Sequence, residues 1–212
     1  DTGLGDALAP RLWASEDGVE LGGQRVAAIA GRLAFSIGLR SVPKPVSPFD
    51  REPAWLRTCV FLDPETLQCR LHDTDRYPTT CATYPGKNLQ LDVETECERV
   101  EREHGGQRLL DATPPADAQP LFGPAAVGTT VFVHPEPMRI QEAVDRLRNG
   151  RLRTADRAEF VAVGAAASPG TIEIASEQYE WARERVLAAD SWVSAAIAGW
   201  RERAEHHRPE PA

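Results

Sequence analysis

Positive charge is scarce in this chain, and lysine is almost missing: 2 lysines stand beside 22 arginines. The skew reads as genome base composition rather than mechanism. Acids outnumber bases 32 to 24, a net charge of -8. Nonspecific binding to nucleic acid requires clustered lysine and arginine that neutralise phosphates. That partner is therefore not expected, and neither is an anionic membrane surface. The one local run, Arg146 to Arg153, has four arginines and reads as a solvated helix end and turn. Long apolar runs are also lacking, since no stretch approaches the ~18 residues of a membrane span. The opening Asp1-Thr2-Gly3-Leu4-Gly5 lacks the charged and apolar regions of a secretory signal. It also lacks methionine, which suggests a processed, trimmed or partial chain. The expected compartment is the cytoplasm. No feature indicates a protein partner.

Catalytic signatures are missing as well. The sequence has no P-loop, GxGxxG, HExxH or GxSxG. The small-residue run Gly164 to Gly170 lacks the lysine of a phosphate cradle and reads as a helix-ending loop. No internal repeat is present.

What remains is an ordinary globular composition, 42% hydrophobic and 26% charged over 212 residues. A short helix is expected over 6–13. Residues 18–21 and 24–29 alternate around Gly22-Gly23, a hairpin signal. Gly31 makes another turn, and Leu33, Phe35 and Ile37 alternate on a third strand. Residues 41–54 carry Pro43, Pro45, Pro48 and Pro53 and read as an extended connection, because proline cannot donate to a ladder. Cys59–Leu62 and Leu67–Leu71 read as two short strands around Asp63-Pro64-Glu65-Thr66. One or two helical turns are expected between Asp75 and Tyr84.

Residues 111–125, rich in Pro, Ala and Asp, read as a linker. Beyond them the pattern is helical. Ile140, Val144 and Leu147 keep helical spacing, and Gly150 suits a C-terminal cap. Thr154 starts a helix through Val163. Ser176 starts a long one with Tyr179, Val186, Val193, Ile197 and Trp200 as core positions, broken near Asp190-Ser191. The fold class is thus α+β: small antiparallel strands and loops around a cysteine cluster, then a helical C-terminal region. The expected division is a cysteine domain at 1–110, then a linker and helical region at 111–212 packed on the first.

The cysteines are Cys59, Cys69, Cys81 and Cys97, spaced C-x9-C-x11-C-x15-C. In a reducing compartment they are expected to be thiols or metal ligands, not disulfides. No CxxC pair occurs, so the spacing matches no zinc ribbon or finger, and the alternative of small buried residues stays open. The local sequence says more. A hairpin around Asp63-Pro64 brings Cys59 and Cys69 together, and a short helix after it brings Cys81 near. Thiolates are soft, charged donors that suit zinc and iron–sulfur clusters.

The runs Cys59-Val60-Phe61-Leu62-Asp63, Cys69-Arg70-Leu71-His72 and Arg76-Tyr77-Pro78-Thr79-Thr80-Cys81-Ala82-Thr83-Tyr84-Pro85 resemble the YkgJ-type cysteine-cluster family, described as a zinc- or iron-chelating domain. The resemblance covers residues 55–100 best, and the whole chain is similar to longer archaeal, salt-adapted members. It implies that Cys59, Cys69, Cys81 and Cys97 hold zinc or iron, the iron as an ion or an iron–sulfur cluster. Two departures stand out. The family opens with a C-x2-C-x2-C-C arm, whereas this chain has no cysteine before Cys59, so the four thiols form either a complete site or part of a larger one. Tyr77 also separates Arg76 from Pro78, where the family has an Arg-Pro element.

Other residues read as structural. His72 is taken as a surface residue at a strand end rather than a further ligand, and His134 as a turn residue before Pro135. His104 lies on a solvated charged face, and His206-His207 at a frayed end. Asp73, Asp75 and Asp92 read as turn caps. Tyr77 and Tyr84 pack around the cluster, and Trp181, Trp192 and Trp200 belong to core or interface. Two rival functions remain: a protein-modifying, methylase-like enzyme, and an interaction module whose cysteines merely pack.

Overall fold

The computed structural model describes residues 4–21, 23–46, 54–82, 84 and 124–206. The chain divides into two compact units, one of Asp1–Arg70 with Pro124–Ala212 and one of Leu71–Gly123. The fold is α+β, with small antiparallel sheets and helices toward the C-terminus.

The first unit is built around strand β5 (Arg32–Leu39). β1 (Leu8–Arg11) pairs with its second half, from Leu8↔Leu39 to Arg11↔Ser36. β4 (Ala28–Ile29) pairs with its start through a tight turn at Ala30-Gly31. Both turn residues have positive φ, 50° and 73°, which is the twist a two-residue hairpin needs and why glycine stands there. β8 (Phe132–Val133) also pairs with β5. β2 (Ala14–Leu21) and β3 (Gln24–Val26) form the expected hairpin, with a bulge between Ala14 and Val19.

Leu33, Ala34 and Phe35 are all buried, so both faces of β5 are covered. Leu33 and Phe35 share a core with Ile140 and Val144 of the next helical segment and with Phe160 and Val163. The rings of Phe35 and Phe160 meet edge-on at 5.0 Å. Ala34 faces the opposite way, into a smaller cluster with Ala27, Ala126 and Val131.

The helices follow from capping and periodicity. A 3-10 turn (Pro137–Ile140) leads into α3 (Gln141–Arg148), which ends before Gly150 at φ 66°. α4 (Thr154–Ala166) begins where the Asp156 carboxylate accepts the Arg153 backbone N–H at 2.9 Å. Arg146 grips the same carboxylate with two bonds of 2.7 and 2.8 Å, so this arginine of the basic run is structural. α5 (Ser176–Ala188) and α6 (Trp192–His206) are separated near Asp190 as expected, and Tyr179, Val186, Val193, Ile197 and Trp200 are all buried.

Four expectations are corrected. The helix expected over 6–13 is only α1 (Leu4–Ala7), because residues 8–11 gain more from pairing with β5. The proline-rich segment is not merely a connection: β6 (Ser41–Val46) pairs with β7 (Ala54–Cys59) over six residue pairs. Pro43 and Pro45 are two residues apart, so their missing N–H groups fall on one side and the intervening residues carry the ladder. α4 runs past Gly164, which the sequence placed in a loop. A Cβ there would come within 2.4 Å of the Ile37 side chain, so glycine permits the close helix–sheet approach. His134 is not a turn residue but a core one, 1% exposed.

Of the second unit, α2 (Thr79–Ala82) is the one described helix. Pro48, Pro53, Asp92, Cys97, His104, His207 and residues 111–123 of the linker expected at 111–125 lie outside the described residues, and its end enters a 3-10 turn at Pro124–Ala126.

Candidate metal centre

Cys59 ends β7, and the chain turns at once, with the Leu62 N–H donating to Cys59 O at 3.0 Å. The Cys59–Leu62 strand expected from the sequence is therefore a turn. Leu62 then bridges Cys69 in antiparallel fashion, and Leu67–Leu71 reduces to that single bridge. One turn and one bridge thus lie between the two cysteines, with Leu62 rather than Cys59 opposite Cys69.

Asp63 holds the loop between them. Its Oδ1 accepts the backbone N–H groups of Glu65 and Thr66, both at 3.0 Å, and its Oδ2 accepts from Arg70. The two backbone bonds and the guanidinium lower its pKa to about 2, so it is charged at neutral pH. Phe61, fully buried, packs edge-on against Trp192, and the Arg70 guanidinium lies 5.5 Å from the same ring.

Beneath this turn sits a residue the sequence reading passed over. Lys44 on β6 is 0% exposed. Its Nζ donates to three carbonyls, Cys59 O at 3.0 Å, Val60 O at 2.7 Å and Leu62 O at 2.5 Å. The Trp200 ring of α6 covers it at 4.3 Å. Burial draws its pKa down to about 8, opposed by the nearby Cys59. Three carbonyl acceptors match the three hydrogens of an ammonium, so the group is charged at pH 7. A signal was present: Val42, Lys44 and Val46 alternate on one buried face, and lysine is rare in this chain.

Cys59, Cys69 and Cys81 are partly buried thiols outside any disulfide. Cys81 lies on α2 of the second unit. There His72 is exposed, paired with Asp73 at 3.0 Å and in ring contact with Tyr77. Among the described residues no group of three or more His, Cys, Asp or Glu is positioned to hold a metal. Cys59 begins the turn that ends at Leu62, Cys69 stands opposite Leu62, and Cys97 falls outside the described residues.

A second buried polar group lies in the core. The Glu136 N–H donates to His134 Nδ1 at 3.1 Å, so Nδ1 is an acceptor and the proton is on Nε2. That Nε2–H faces Glu159 Oε1 at 3.3 Å. Burial opposes the Glu159 charge, but His134, Tyr179 and Arg139 outweigh it and hold its pKa at about 2. Tyr179, beside it, is raised to about 12 by burial and the carboxylate. Position before Pro135 gave no sign of this burial.

Among the described residues no helix is long and apolar enough to cross a membrane. A family model described as a family of unknown function, DUF7531, matches residues 1–212. No curated protein and no solved structure matches the chain.

Proposed function

Because the chain belongs to the DUF7531 family, whose description assigns no activity, we propose its function from its own residues: it is a metal-binding protein. Cys59, Cys69, Cys81 and Cys97 supply thiolates to zinc or iron, the iron as an ion or an iron–sulfur cluster. The observation that carries this reading is the Cys59–Cys69 turn. Two thiols that are not in a disulfide flank one short turn and loop, whose backbone is bonded by Lys44 and Asp63. Support of this kind is what metal sites require of the residues around their ligands. The Lys44 ammonium, bonded to Cys59 O, stands beside the turn and suits a site whose thiolates carry negative charge.

The resemblance to the YkgJ-type cysteine-cluster family points the same way and adds Cys81 and Cys97 as partners. Thiolate ligands suit a reducing compartment, so we place the protein in the cytoplasm. Its acidic balance leaves nucleic acid out of its partners.

Anaerobic purification followed by elemental analysis and visible absorption tests this reading. Zinc or iron in stoichiometric amount, lost in Cys59→Ser and Cys69→Ser, is the expected result. A colourless, folded protein without either metal after anaerobic reconstitution would contradict it.

A further inference from the structure

The first unit contains a second feature, independent of the cysteines. His134 is 1% exposed, and both of its ring nitrogens are engaged. Nδ1 accepts the Glu136 N–H at 3.1 Å, and Nε2 lies 3.3 Å from Glu159 Oε1. The two bonds respond oppositely to a proton, because an imidazolium donates from both nitrogens. A proton on Nδ1 strengthens the bond from Nε2 to Glu159, which becomes charged at both ends. The same proton sets two N–H groups against each other at Glu136, so that bond is lost. Glu136 leads into the 3-10 turn Pro137–Ile140, which has no side-chain cap. Ile140 of this turn is buried in the core, whereas Met138 is 75% exposed. The bond to His134 is therefore a polar anchor of the turn on the core.

A buried imidazole without a countercharge resists protonation, since burial disfavours the charged form. Here α4 supplies the Glu159 carboxylate inside the core. Two positive groups oppose the added charge: Arg183 of α5, 3.5 Å from Glu159 Oε2, and Arg139 of the 3-10 turn, which also faces Glu159. Arg139 is in turn paired with the Glu136 side chain at 3.8 Å. The Tyr179 phenol of α5 stays neutral, and β5 contributes the neutral Leu33 carbonyl, which accepts the His134 N–H. We propose that His134 is a proton-operated latch. Neutral, its Nδ1 fastens Glu136 to the core. Protonated, the ring keeps Glu159 and releases the turn Pro137–Ile140.

Ring-nitrogen NMR and amide hydrogen exchange of the full chain between about pH 7.5 and about pH 5, the span in which imidazoles titrate, test this. The His134 ring is expected to carry its proton on Nε2 at the upper end and on both nitrogens at the lower. Over the same span the protection factors of the Glu136 and Arg139 amides fall at least about tenfold, while that of Val163 in α4 holds. His134→Gln keeps an acceptor and a donor without a titrating group, and its Glu136 protection stays constant. Glu159→Gln removes the countercharge, and the midpoint of the loss moves down by about one pH unit. The same loss in His134→Gln as in wild type, a ring that stays neutral throughout, or an equal fall at Val163 would overturn the latch. If His134→Gln does not fold, the midpoints of wild type and Glu159→Gln decide, and equal midpoints contradict it.

Discussion

At the scale of single residues, two buried ionisable groups decide how the first unit responds to mutation and pH. Lys44 donates to three carbonyls of the turn, of which Cys59 O also accepts the Leu62 N–H. Lys44→Met keeps the apolar stem but leaves those carbonyls buried, and is expected to cost about 3 kcal/mol in denaturant unfolding. Lys44→Arg does not rescue it, because a planar fork cannot reach three acceptors grouped around one point. Glu159 behaves differently. Its folded pKa of about 2 lies below the ordinary value of 4.5. A depressed carboxylate stabilises the fold fully above the unfolded pKa, and that stabilisation is lost as pH falls from about 4.5 toward 2. Wild type should exceed Glu159→Gln by about 2–3 kcal/mol at pH 6, and the gap should narrow to about 1 kcal/mol or less at pH 2.5. A gap that is the same at both pH values would show that the carboxylate charge contributes nothing.

At the scale of elements, legibility followed periodicity. The β2–β3 hairpin, β5 and the helices α3, α5 and α6 show their periods and turn residues, and the core positions Tyr179, Val186, Val193, Ile197 and Trp200 are buried as read. Elements whose identity depends on distant partners did not show. Residues 8–11 become a strand because β5 is available, and Pro43 and Pro45 fit a ladder because β7 pairs on their other side. The cysteine turn was readable from Asp63-Pro64, whereas its buried support was not, since Lys44 and Trp200 are far apart in the chain. Their contact ties β6 to α6. A double-mutant cycle of Lys44→Met with Trp200→Leu should give a coupling of about 1–2 kcal/mol, read from urea midpoints and slopes. Additive effects would show that the ring over the ammonium is only packing.

At the scale of the whole molecule, the N-terminal strands and the C-terminal helices belong to one compact unit, and residues 71–123 form another. Asp6 shows how the ends of the chain are joined. Its carboxylate accepts from Arg157 of α4 at 3.1 Å and from Ser194 of α6 at 2.5 Å, all within the first unit. The proposed function draws its thiolates from Cys59, Cys69, Cys81 and Cys97. Metal binding would then be linked to stability, and its removal should lower the unfolding temperature of the full chain by mass action. The most direct test counts cysteines by mass spectrometry after brief alkylation of anaerobically purified protein, with and without a chelator. Protection of Cys59, Cys69, Cys81 and Cys97 that is lost together on chelation is the result predicted here. Four thiols that alkylate at the same rates in both samples would contradict it.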